Sequence, residues 1–322
     1  VITARGDEHP VVAMMLKRAA EGSARGSRPD GATIALAIEG GGSCGVISGG
    51  MCLLLEKTGL IDAVDVIYGT SSGALNGSFT ASGQAALGAT NYLDVTGAQF
   101  ANPLRVLTGR AVIDFAFLFD DLIGTRKPYD MAGLARGPAF RALCVDLDTS
   151  GVLVLRDFAD AADLTAAVRA SCSLPLLADP PASYRGVPVA DGSLIESIPY
   201  RAALGEATHV LVLRSHSAGH RQEPYPRALI ELSRRAAHPA VAQLLQERPA
   251  RYNAEAAHLS ELGAGDPTVL QIAPPPGTRV SNIERSGQAI RLGLAAGVRA
   301  AAETFGLPPI EVLWQPELYG TA

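Results

Sequence analysis

The chain has 322 residues, 48% of them hydrophobic and 18% charged, with a formal net charge of −5. That balance excludes a disordered chain and allows one large or two small domains around a sizeable core. Without any block of like charges, an acidic chain gives no support to a broad nucleic-acid surface, so no nucleic-acid partner is expected.

Residues 10–20 (PVVAMMLKRAA) read as a short amphipathic helix, followed by a Gly-rich linker to Gly31. Thr33 to Ile38 is a continuous apolar run, as expected of a strand buried on both faces of a parallel sheet. A glycine turn leads into a helix from Val46 to Thr58, stopped by Gly59. A second strand, Asp65 to Tyr68, enters the sequence GTSSG and a helix from Ser72 to Ser82. Together these segments make a βαβ unit with a further helix, which implies an α/β fold with helices on both faces of the sheet. Phe115 to Phe119 is an aromatic cluster in a chain with few aromatics. It reads either as plain core or as a patch that lines the entrance of a site or touches a membrane interface. Arg141 to Val145 and Val152 to Leu155 read as a hairpin turning at Asp148 to Gly151. Leu164 to Ser171 is expected to be a helix, and Tyr184 to Ala190 a tight hairpin that delivers Asp191 and Gly192. Thr208 to Leu213 is another buried strand. Beyond Pro226 the pattern is mainly helical, with a late strand at Thr268 to Ile272 and a long helix from Ile283 to Phe305.

Cys44, Cys52, Cys144 and Cys172 form no CxxC pair and have no metal-like histidine spacing. They read as buried free thiols of a reducing compartment, and no metal site is expected. Residues 1–29 contain no apolar signal-like core, and no run reaches the roughly 18 apolar residues of a spanning helix. A soluble, cytoplasmic protein is therefore expected, with peripheral membrane contact and oligomeric state left open.

Two glycine-rich turns carry the chemistry. Gly69-Thr70-Ser71-Ser72-Gly73 fits GxSxG, a nucleophile elbow in which a strand turns sharply into a helix and exposes the serine hydroxyl at its apex. The helix beginning at Ser72 would aim its positive end at a developing oxyanion. Upstream, Gly40-Gly41-Gly42-Ser43-Cys44-Gly45 closes the first strand and opens the first helix, so its unhindered N–H groups form an anion site. The same residues satisfy a dinucleotide fingerprint, but the acidic residue wanted at the end of the second strand is replaced by the GTSSG turn. An oxyanion loop beside a nucleophile elbow accounts for the pair better than dinucleotide binding or a purely structural turn. The serine needs a base, and Asp191 in Asp191-Gly192-Ser193 is the candidate.

These three motifs, in this order, resemble the patatin-like phospholipases, whose signature is a GGGxxG loop, a GxSxG elbow about thirty residues later and a downstream DG before a small residue. Gly69 to Gly77 (GTSSGALNG) and Arg169 to Pro175 (RASCSLP) extend the resemblance, which covers Thr33 to Arg214 and, more weakly, Arg248 to Asn253. It implies a three-layer α/β/α sandwich with a mostly parallel central sheet. It implies Ser71 as nucleophile, Asp191 as proton acceptor, a lipid or acyl-ester substrate, and no metal or cofactor. The domain plan that follows is an N-terminal helix and linker over residues 1–30 and a hydrolase domain over 31–322. Within that domain the motif-bearing core covers about 33–214 and a helical C-terminal part about 226–322. Cys44 departs from the Arg or Lys usual at its position, and Ser193 from the usual Gly or Ala. The departure at Cys44 keeps open a second reading, a lipid-binding or scaffold protein that kept the fold and lost catalysis. A third reading is a Ser71–Asp191–His216 triad, since His216 and His220 follow Asp191 in the order of the α/β-hydrolases. His9, His209, His238 and His258 read as surface or packing residues.

Overall fold

The computed structural model describes residues 9–308 apart from 24, 27, 103–104, 106–110, 176, 178–182 and 237. Its centre is β1 (Ile34–Ile38), all five residues of which are buried. The strand is apolar at every position because both of its faces are covered. Ile34, Leu36 and Ile38 join a core with Met51, Phe79 and Leu294, whereas Ala35 and Ala37 join a second core with Tyr200, Tyr252 and Leu259. The strict alternation of a strand thus sorts one short sequence into two layers of contacts.

On one face lie α2 (Gly45–Lys57), α3 (Ser72–Ala81) and α10 (Gly287–Thr304); on the other lie α7 (Tyr200–Leu204) and α9 (Pro239–Gly265). β1 pairs in parallel with β2 (Val66–Thr70) and β7 (His209–Leu213). Beyond them, β3 (Ala139–Asp146) adds to β2 and β8 (Val269–Ile272) adds to β7, again in parallel. The mixed α/β architecture with a mostly parallel central sheet is the one expected from the sequence.

The antiparallel part positions the site. β4 (Gly151–Leu155) pairs with Ala142–Asp146 of β3, and β6 (Val187–Asp191) pairs with Cys144–Asp146. β2 pairs with Ala139–Leu143. A strand has two edges, and β4 overlaps both other partners, so β4 holds one edge while β2 and β6 share the other, end to end. The last residue of β2 faces Leu143 and the last residue of β6 faces Cys144. The two strands run toward each other, so their carboxyl ends meet.

The N-terminal α1 (Pro10–Ala20) lays Val11, Val12 and Met15 into the larger core. Its Arg18, only 2% exposed, is bonded to Asp30 and Asp65. Several elements depart from the sequence reading. α4 (Ala85–Asp94), the wide π-type helix over Ala116–Arg126, and α5 (Met131–Arg136) fill the irregular middle. α8 (Arg227–Ala236) and the single long α9, with Pro249 inside it, follow β7. α10 starts at Gly287 rather than Ile283, because the Ser286 side chain accepts from Ala289 N–H and caps the helix there. Residues 280–286 are thereby left as a loop against the first glycine turn.

Candidate active site

Ser71 stands between β2 and α3 with φ 55° and ψ −126°. A non-glycine residue held there stores on the order of 1–3 kcal/mol of strain, which surrounding contacts must maintain. One such contact is Gly73, where a Cβ would lie 2.2 Å from the Ile38 carbonyl oxygen, so only glycine lets α3 leave the sheet this tightly. Another is Ser171 on α6 (Ala161–Cys172). Its hydroxyl accepts from Ser71 N–H at 3.0 Å and donates to the Leu143 carbonyl at 2.6 Å.

Asp191 arrives from the opposite direction on β6. Ser71 Oγ donates to its Oδ2 at 2.8 Å, and Ser193 N–H donates to its Oδ1 at 2.8 Å. The carboxyl is 3% exposed. Burial raises its pKa above the ordinary carboxylate value, and the bonds from Ser193 and Ser71 offset part of that rise. A raised carboxylate within hydrogen-bond reach of a hydroxyl is suited to accept its proton. The segment carrying Asp191 also holds both turns. The Glu196 carbonyl accepts from Thr70 Oγ1 at 3.0 Å, and the Ser197 carbonyl accepts from Gly40 N–H at 3.1 Å.

Within the Gly40–Gly45 turn, the N–H groups of Gly40, Ser43, Cys44 and Gly45 are engaged by protein carbonyls. Gly41 and Gly42 have no partner for theirs among the described residues, and both line the cavity that contains Ser71. Ser72, first residue of α3, has an equally unengaged N–H and lines the same cavity. Gly42 has φ 57°, and a Cβ there would sit 2.4 Å from the Asn282 carbonyl oxygen. That carbonyl also accepts from Ser43 N–H at 2.9 Å, so the 280–286 loop clamps the turn.

Cys44 points away from the cavity. Its thiol donates to the Val280 carbonyl at 3.0 Å and the residue is 3% exposed. Beneath the turn lies a charged network that the sequence reading missed. Glu39, fully buried, accepts from Arg214 Nε at 2.8 Å, Tyr252 Oη at 2.7 Å and Ser215 N–H at 2.8 Å, and its Oε1 lies 2.9 Å from His216 Nδ1. Burial alone would raise the Glu39 pKa, but the charges of Arg214 and His216 hold it well below the carboxylate range. Burial alone would likewise lower that of His216, but the Glu39 charge raises it to about 10. The signal was legible as opposite charges at the carboxyl ends of two adjacent apolar strands, AIE and VLR. His216 stacks on His220 at 4.4 Å and has no bond to Ser71 or Asp191, so the structure does not assemble the Ser71–Asp191–His216 triad.

The cavity holds about 290 Å³ and is mostly apolar. Phe115 and Leu118 form part of its wall while belonging to the core. Phe117 instead lies against the Arg126 guanidinium, outside the lining. Cys172 also lines the cavity, and burial together with the Asp191 carboxylate raises its thiol pKa well above the ordinary value. It stays protonated at neutral pH and is no rival nucleophile. All four cysteines are free. Among the described residues no cluster of side chains fits a metal ion, and no helix is long and apolar enough to cross a membrane.

Residues 36–204, just over half of the chain, match the sequence model of the patatin-like phospholipase family. The chain belongs to that family. The patatin-like phospholipases are lipid acyl hydrolases, and the matched span contains both glycine turns and the Asp191-Gly192 pair. Among solved structures, VipD from Legionella pneumophila is similar at 12% identity and a TM-score of 0.49, over 85% of this chain and 67% of that one. Human GIVD cytosolic phospholipase A2, solved with a methyl gamma-linolenyl fluorophosphonate inhibitor and terbium chloride, is similar at 20% identity. That match has a TM-score of 0.26 over 46% of this patatin-like chain and 26% of the human one. No curated protein gives a significant match.

Proposed function

We propose that this patatin-like protein hydrolyses acyl esters of lipids with a Ser71–Asp191 dyad. The observation that carries the reading is the 2.8 Å bond from Ser71 Oγ to the buried Asp191 carboxylate, made at a strained elbow inside an apolar cavity.

In acylation Asp191 takes the Ser71 proton as Oγ bonds to the ester carbonyl carbon. The oxyanion forms against the unengaged N–H groups of Gly41, Gly42 and Ser72. The carbon–oxygen bond to the alcohol then breaks, and the alcohol leaves with the proton from Asp191. In deacylation a water gives its proton to Asp191 and attacks the acyl carbon. Ser71 Oγ leaves, regains the proton from Asp191, and the carboxylic acid departs. The Glu39 network supports the glycine turn from below rather than touching substrate. Ile283, 38% exposed at the cavity lining, gives the mouth an apolar edge for contact with a lipid surface. The test is labelling by a fluorophosphonate probe. Wild type should be labelled and Ser71→Ala should not, with the mutant folded and its ester turnover lost. Labelling that persists in Ser71→Ala refutes the assignment.

A further inference from the structure

Among the described residues only two charged side chains line the cavity, Asp191 and Arg248. Arg248 lies on α9, outside residues 36–204 and at the start of the weaker stretch of resemblance, and is 9% exposed. Among the described residues it has no carboxylate within ion-pair distance. Its Nε donates to the Ser193 carbonyl at 2.8 Å, and its Nη1 donates to the Tyr225 hydroxyl. Nη2 has no hydrogen-bond partner among the described residues, yet it is not among the sealed polar atoms, so it opens onto accessible space. The residue is nine-tenths buried, its guanidinium is tethered by one edge and touches no carboxylate directly, and its charge acts on Asp191 only across the cavity, so an anion on the other edge would complete it. Its free edge offers the forked donors that suit phosphate oxygens.

We propose that Arg248, helped by the Tyr225 hydroxyl, is the anion-binding residue of the acyl site and selects esters that carry a phosphate. This rests on the acyl-hydrolase reading above. The geometry gives the scale. Arg248 holds the Ser193 carbonyl, Ser193 N–H holds Asp191, and Asp191 holds Ser71, each at 2.8 Å. The cation therefore stands three hydrogen bonds from the reacting serine, on the wall of the same cavity, within reach of a phosphate carried by the ester. Cys44 of the glycine turn is turned into the protein. The cation of this site comes from the helical C-terminal part instead.

The experiment compares kcat/KM on two soluble esters with the same acyl chains, dihexanoyl phosphatidylglycerol and dihexanoylglycerol, for wild type, Arg248→Met and Arg248→Lys. Wild type should favour the phosphate-bearing ester. Arg248→Met should cut that preference on the order of 10- to 100-fold, the loss expected for a charged hydrogen bond, with Arg248→Lys between. Inorganic phosphate should compete with dihexanoylglycerol in wild type and not in Arg248→Met if the anion is recognised by itself. Preference without such competition assigns recognition to the phosphate as part of the lipid. Either pattern supports the proposal. Equal losses on both esters would mean that Arg248 only steadies the Asp191 turn, and would overturn it. So would a wild type that does not distinguish the two esters, a result that needs no variant to fold. Failure of the acyl-hydrolase reading looks different: neither ester is turned over and Ser71 is not labelled.

Discussion

Replacing Glu39 by Gln keeps shape and removes one charge at the point where the Gly40–Gly45 turn leaves the sheet. Both side chains of the Glu39–Arg214 pair are 0% exposed, and their atoms lie 2.8 Å apart. Breaking a buried pair from one side leaves the other charge uncompensated and typically costs about 3–5 kcal/mol. For a chain of this size that is on the order of 5–15 °C in melting temperature. The substitution also carries a pH signature. His216 has its pKa raised from 6.5 to about 10, with Glu39 the chief cause and Cys44, His220, Arg214 and Tyr252 as its other polar neighbours. A group raised on folding stabilises fully below its unfolded pKa, and that contribution is lost as pH rises through the folded value. Wild-type stability should therefore fall between about pH 6.5 and pH 10. In Glu39→Gln that fall should shrink, because the imidazolium has lost its anchor. Melting curves across this range, with turnover of a short p-nitrophenyl ester, test both parts. An unchanged melting temperature with parallel pH slopes would refute the claim that the network holds the turn.

Asp191→Asn should abolish turnover while leaving the melting temperature equal or higher near neutral pH, because burial raises the pKa of Asp191 and so disfavours its ionised form. By the same sign, kcat/KM of the wild type should fall at low pH with a midpoint above the ordinary Asp value of about 3.9; a midpoint at or below that value would contradict the role of Asp191 as base. Phe115→Leu should reduce activity on long-chain esters more than on short ones, whereas Phe117→Leu should not discriminate, since only Phe115 reaches the cavity. Cys44→Arg should lower the melting temperature, by roughly the 1–3 kcal/mol of an overpacked site or more, because the Val280 and Asn282 side of the pocket is already filled. A folded, unperturbed Cys44→Arg protein would show that the 280–286 loop yields easily.

The legible parts of the fold were those set by local pattern. A five-residue apolar strand, a glycine turn and a serine elbow each have a backbone reason for their residues, so Ile34–Ile38 and Val66–Thr70 could be placed from sequence. The contact between Ser71 and Asp191 was legible only as an order of motifs. The end-to-end meeting of β2 and β6 on β3 depends on pairing across 120 residues of chain, which no local window contains. Ser171 and Asn282 escaped for a related reason. Each acts through a partner far away in sequence, and a lone Ser or Asn carries no periodic signal. The last helix, expected from near Ile283, begins at Gly287 because the Ser286 side chain caps it there, a start that a single serine marks only weakly in sequence.

The shared edge of β3 acts as a ruler: it fixes where β2 ends and where β6 ends, and so fixes the spacing of serine and aspartate. The turn that joins β3 to β4, Asp148–Ser150, is exposed and lies off that shared edge. Its length is consequently decoupled from the distance between the two functional groups. A segment added at that turn leaves the ruler untouched. One residue added within Val187–Asp191 would reverse which face of the sheet each side chain occupies and carry the carboxylate away from the serine. The spacing of the two groups is thus set along the shared edge, while that turn is left to vary at the surface.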